Sequence, residues 1–175
     1  MIVQESILLG ERYPQEVERL LNPAYCASAL ARYTLSYVQA RSEQEISSLG
    51  FPLMFLCLPL VLHAPTRSSV LMHTSAFGLH RFVREHPGIL VDLPERVRGL
   101  ADISRQAFLF GVNRGILMFD AESASLGSEA KVVRRLTSAH RGKESSEPLR
   151  AADRLGAWCG ILSAAEVFLH LGLRP

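Results

Sequence analysis

The first well-patterned stretch repeats apolar positions at spacings of three and four. Ala27, Leu30, Ala31, Thr34, Leu35 and Val38 share one face, while Arg32, Gln39 and Arg41 fall mostly elsewhere on the wheel. Asn22-Pro23 opens it, because Asn accepts from free backbone N–H groups and Pro fits the first turn, where its missing N–H costs nothing. The pattern predicts a helix from Pro23 to Gln44, with a shorter one before it from Pro14 to Leu21. Phe51 to Leu62 is apolar on every face, and Pro52 suits a first turn. It predicts a central helix, Phe51 to His63, buried all round and bent at Pro59.

His63-Ala-Pro-Thr-Arg67 interrupts this pattern, since a residue before proline avoids the helical region and Thr66 can cap the segment after it. A loop or helix start belongs there. Thr74 or Ser75 suits the cap of a helix through Phe77, Leu79, Phe82 and Val83, stopped by Pro87-Gly88. Further helices are predicted over Val91 to Leu100 and over Ser104 to Val112, the latter capped by Ser104 and ended by Gly115.

The period then changes. Ile116 to Phe119 and Ala124 to Leu126 flank Asp-Ala-Glu-Ser and read as a short β-hairpin. A helix, a tight Gly and a hairpin in that order make the region from about 75 to 127 winged-helix-like. A polar, basic connection, mobile or partly helical, comes next over about 128–148. A closing helix over about 149–171 carries Leu155, Trp158, Cys159, Leu162, Val167, Phe168 and Leu171 at helical spacing, with Gly172 as its stop. The reading is a single, mainly α domain over residues 1–175: a compact helical unit with one small hairpin.

Composition narrows the function. The chain has 175 residues, 48% of them hydrophobic, enough for a sizeable core. Nineteen basic residues against 17 acidic give a net +2, so any electrostatic site is local rather than global. Cys26, Cys57 and Cys159 lie apart among apolar neighbours, without a CxxC pair or a His at ligand spacing, and read as reduced core residues of a cytoplasmic protein. The start lacks a signal-peptide pattern, and the apolar run is about a dozen residues against the roughly 20 that a membrane span needs.

No catalytic pattern emerges. There is no GxSxG, HExxH, P-loop or GxGxxG, and the acidic pairs Asp92/Glu95 and Asp120/Glu122 read as solvated caps near loops. No cofactor or metal is expected. Arg105 and Arg114 bracket the candidate recognition helix, and Lys131, Arg134 and Arg135 come just after the candidate wing, so these five are the candidates for contact with DNA phosphates or with an acidic protein surface. His63, Thr66 and Arg67 form a candidate partner interface, since the Arg67 fork suits a carboxylate or phosphate; the alternative is that Arg67 satisfies helix-end carbonyls or an internal acid.

Leu21-Asn-Pro-Ala-Tyr25, Leu58-Pro-Leu-Val-Leu-His-Ala-Pro-Thr-Arg67, Phe108-Leu-Phe-Gly111 with Gly115-Ile-Leu after it, and the ending Leu171-Gly-Leu-Arg-Pro175 give the chain a family likeness. It resembles the middle component of bacterial ABC three-component systems, a grouping that overlaps the small subunit of Lamassu-type antiphage defence. The resemblance covers nearly the whole chain, and the Leu58 to Arg67 string is its most specific part. It implies a non-catalytic helical adaptor between an ABC ATPase of the chromosome-maintenance (SMC-like) type and a variable effector, often a nuclease. The contrasting reading is an autonomous winged-helix DNA-binding regulator.

Overall fold

The computed structural model describes residues 21–41 and 48–174. The helix expected from Pro14 to Leu21, and the expected continuation of the next helix to Gln44, lie outside them apart from Leu21 itself. Helix α1 (Pro23–Ala40) is the element the rest is built around. Asn22 Oδ1 accepts from Ala24 N at 2.8 Å, so the expected cap is present. From Tyr25 to Tyr37 every residue except Arg32 is buried. Such all-round burial needs neighbours on every side: α1 packs against α6 (Ala101–Asn113), α2 (Met54–Val61), α7 (Ala130–Ser138) and, most extensively, α8 (Glu147–Gly160).

The α1–α8 contact is close enough for backbone to touch backbone. Gly156 and Gly160, one turn apart on α8, lie against the carbonyls of Tyr33 and Tyr37. Asp153 of α8 adds a polar tie, pairing with Arg32 at 2.9 Å and accepting from the Ser36 hydroxyl.

Residues 51–61 are buried as their sequence requires, but the local structure differs from one bent helix. A 3-10 turn at Phe51–Leu53 leads into α2, which runs through Pro59. The sharp change of direction comes after Val61: α3 (Ala64–Leu71) leaves at 95° to the preceding segment. Pro65 explains the location, because its ring nitrogen cannot donate to the Val61 carbonyl and the helix cannot continue. Thr66 is not the cap; it is buried in the first turn of α3, with its hydroxyl 2.8 Å from His63 Nδ1. Among the described residues no single helix is long and apolar enough to cross a membrane.

Three more helices come next: α4 (Leu79–Glu85), α5 (Leu93–Gly99) and α6. Ser104, expected as the cap of α6, is buried inside it, because the helix begins three residues earlier at Ala101. The C-terminal end is where the glycine placed it. Gly115 has φ +65°, its N–H donates to Val112 O and Ile116 N–H donates to Gly111 O at 2.8 Å, a Schellman closure. Gly172, at φ +66°, ends the chain's last helix in the same way.

The expected hairpin is present as β2 (Met118–Asp120) and β3 (Ser125–Gly127), and a strand not expected from sequence joins it. Leu49–Gly50 forms β1, antiparallel to β3, giving the sheet order β1-β3-β2. Residues 128–148 take the partly helical alternative: they hold α7, anchored by buried Val133, and a 3-10 turn at Glu144–Ser146. The single closing helix is in fact two. Helix α8 stops at Gly160 and α9 (Ala164–His170) restarts from a capping box between Ser163 and Glu166, a signal present in the sequence and missed.

Candidate functional site

Four arginines are tied to the ends of helices to which they do not belong, and Arg67 takes the alternative the sequence left open, helix-end carbonyls together with an internal acid. Arg67 Nη1 donates to Val61 O and Leu62 O at 3.1 and 3.2 Å, the carbonyls left open by the Pro65 break. Arg96 donates to Pro59 O at 2.9 Å and to Ile89 O at 2.6 Å. Arg154 donates to Leu71 O at 2.7 Å, and Arg41 to Gly160 O, the last carbonyl of α8, at 3.3 Å and to Leu162 O just past it at 2.6 Å. Each meets the negative end of a helix, where a planar multi-donor fork satisfies carbonyls that have no N–H partner. The Leu58 to Arg67 string is therefore a structural corner. Within it the His63 pKa is lowered, first by burial and then by Arg96 and Arg67, so the ring bonded to Thr66 is kept neutral.

Arg67 also pairs with Glu147 at 3.4 Å, which brings α3 to the start of α8 and to the edge of a large groove. This groove, about 1230 Å³, lies between the first turns of α1, the end of α6, one face of α7 and the turn entering α8. Its apolar wall is Tyr25, Phe110, Ile116, Val132, Leu136 and Pro148. Tyr25 is fixed by donating to Ser145 O at 2.6 Å and by an edge contact with the His140 ring, whose Nδ1 is 3.0 Å from Ser145 Oγ. The rim carries Arg114, Arg135 and Lys143 against Glu144 and Glu147.

The structure thus gathers Arg67, Arg114 and Arg135 around one groove and leaves the other sequence candidates outside it. Arg105 is held by Asp102 at 2.5 Å beside the Phe55 ring. Lys131 and Arg134 are exposed on the outer side of α7, and neither has a carboxylate partner among the described residues. The spacing on α7 separates the two sets: Val132, Arg135, Leu136 and Ala139 face the groove at i, i+3, i+4 and i+7, and Lys131 and Arg134 face away.

Among the described residues the remaining titratable groups offer little chemistry. Cys26 and Cys159 are pushed up to about 12 and Cys57 well up as well, all by burial, so these thiols stay protonated and unreactive. Glu95 pairs with Arg98, and Asp120 accepts from Glu122 N and the Ser123 hydroxyl within the hairpin turn. Sequence reasoning missed one pair: His73 and His86 meet Nε2 to Nε2 at 2.9 Å beside Phe77, a contact between segments with no shared motif. A half-exposed aromatic cluster of Phe51, Phe55, Phe108 and Phe119 covers the outer junction of sheet and helices, with Met118 exposed next to it.

The model of one protein family, described as ABC-three component (ABC-3C) system Middle Component 3, matches residues 11–175. No curated protein and no solved structure matches the chain.

Proposed function

The chain belongs to the Middle Component 3 family of ABC three-component systems, and from that premise we propose that it is a non-catalytic adaptor in the cytoplasm, joining an SMC-like ABC ATPase to an effector, such as a nuclease, in antiphage defence of the Lamassu kind. Membership of a multi-component system carries this reading. Two features of the chain support it: its thiols are buried and protonated rather than nucleophilic, and a groove wider than most small-molecule sites faces outward. Co-expression with the ATPase and effector encoded beside it is the test. A stable ternary complex on gel filtration is expected, and recovery of this chain as a lone monomer with an operator footprint of its own sinks the adaptor reading.

Contact with DNA is, in this proposal, electrostatic and secondary to protein contact. It falls to Lys131 and Arg134, which are exposed, lie one turn apart and have no carboxylate partner among the described residues. Replacing both with Gln in the assembled complex is expected to lower the salt slope of DNA binding by about two units, since each phosphate contact releases roughly one counterion. An unchanged slope removes DNA from these two positions.

The autonomous winged-helix regulator draws on one observation, the β1-β3-β2 order beside α6. Against it, Arg105 on α6 is neutralised by Asp102, and the exposed side chains of β2 are Met118, Phe119 and Asp120 rather than cations.

A further inference from the structure

The groove walled by α7 has a chemistry specific enough to name an occupant. Apolar side chains at i, i+3, i+4 and i+7 on a helix normally face a core. On α7, buried Val133 points to the core, while Val132, Leu136 and Ala139 line the open groove with Arg135 among them. An apolar stripe of this period, facing Phe110 and Ile116 across an open channel, matches the apolar face of another helix.

Charge then decides which helix. Arg81, Arg98 and Arg105 are each neutralised by a carboxylate of their own helix, whereas Lys131 and Arg134, outside the groove, are not. At the groove, Arg67 is paired with Glu147, but Arg114, Arg135 and Lys143 have no carboxylate partner among the described residues. With Glu144 on the same rim, a surplus of positive charge borders an apolar floor. Nucleic acid fits poorly, because its phosphates would lie over apolar side chains and beside two carboxylates. At about 1230 Å³ the groove also exceeds the roughly 300–1,000 Å³ usual for small ligands.

We propose that this groove is the docking site for an acidic amphipathic helix of a partner subunit, whose apolar residues seat on Val132, Leu136, Phe110 and Ile116 while its carboxylates meet Arg114, Arg135 and Lys143. This rests on the adaptor reading and specifies the surface through which it operates.

The experiment uses the complex co-expressed with the neighbouring ATPase and effector, with a benzophenone amino acid at Val132 and, as a control far from the groove, at Val91. Irradiation is expected to link position 132, and not 91, to an acidic segment of helical periodicity on one of the two other subunits. In parallel, Arg114→Gln with Arg135→Gln is expected to weaken assembly at least ~10-fold while lowering the thermal midpoint of the isolated chain by no more than a few degrees, since both side chains are exposed and each loses only a favourable place at a helix C-terminus. An intact complex without a position-132 adduct overturns the groove proposal and spares the adaptor reading. So does an adduct to DNA, to this chain itself, to a second copy or to a segment that is not acidic. Failure of the three chains to form any complex sinks both.

Discussion

Gly156→Ala and Gly160→Ala are each expected to melt well below the parent chain, against the ordinary rule that alanine stabilises a helix. The rule is worth about 1 kcal/mol in favour of Ala at an interior position. Here it loses to packing. A Cβ on Gly156 would overlap the Tyr33 carbonyl oxygen and stand 3.0 Å from Ser36 Cβ; one on Gly160 would overlap the Tyr37 carbonyl oxygen and stand 2.8 Å from Ala40 Cβ. The obstacles are backbone atoms of α1, which have no rotamer to change, so the helices must separate. Overpacking of this kind costs about 3 kcal/mol, the upper part of its usual range, and for a chain of this size that lowers the midpoint by roughly 6–12 °C. Gly99→Ala is the control: nothing lies within 4 Å of its Cβ position, and the variant is expected to melt at or slightly above the parent. Circular dichroism melts of the three proteins decide the matter, and equal midpoints would mean that α1 and α8 are not in backbone contact.

Leu60→Asp has the larger effect, loss of the folded state. Leu60 is 1% exposed on α2, and α2 packs against α1, α5, α6 and α8, so no rotation of the side chain brings a carboxylate to water. Burying a charge without a partner costs several kcal/mol even after the group protonates, on top of the cavity left by the lost leucine. Total stability of a domain is only about 5–15 kcal/mol. Insoluble or unfolded protein is the expected result, with Leu60→Met, close in volume, losing under about 1.5 kcal/mol. Soluble Leu60→Asp protein with a cooperative melt near the parent's would show that α2 faces solvent or a partner instead of the core.

The likeness to a middle component, drawn from short strings such as Leu58 to Arg67, agrees with the family match over residues 11–175. What made that string specific is now physical. Pro65 breaks the helix, His63 and Thr66 bond to each other, and Arg67 closes the exposed carbonyls, so the sequence is distinctive because a right-angled corner in an apolar core needs all four. The candidate site was legible only in fragments. Arg114 and Arg135 stand out in the sequence as cations beside the candidate recognition helix and wing, and nothing in their spacing reveals that they share a groove wall with Tyr25 and Pro148.

By itself the sequence determined the features that a residue imposes on its immediate neighbours. Asn22 caps α1, Gly115 and Gly172 close α6 and α9 because their left-handed backbone disfavours other residues, and Phe51 to Leu62 had to be buried because it has no polar face. Tertiary structure decided whatever depends on segments far apart in the chain. Leu49 becomes a strand only because Leu126 lies opposite it, two residues being too few to pattern or to stand alone. Gly156 and Gly160 matter only because α1 passes over them. Arg41, Arg96 and Arg154 look like surface charge until another helix ends within their reach, the choice between the two readings of Arg67 is made only by the end of α2 beside it, and the face of α7 that lines the groove differs from its core face by a rotation that no local pattern fixes. Local conformational preference is written residue by residue, whereas the partner that satisfies a carbonyl, a cation or an apolar stripe is set by which elements the core brings together.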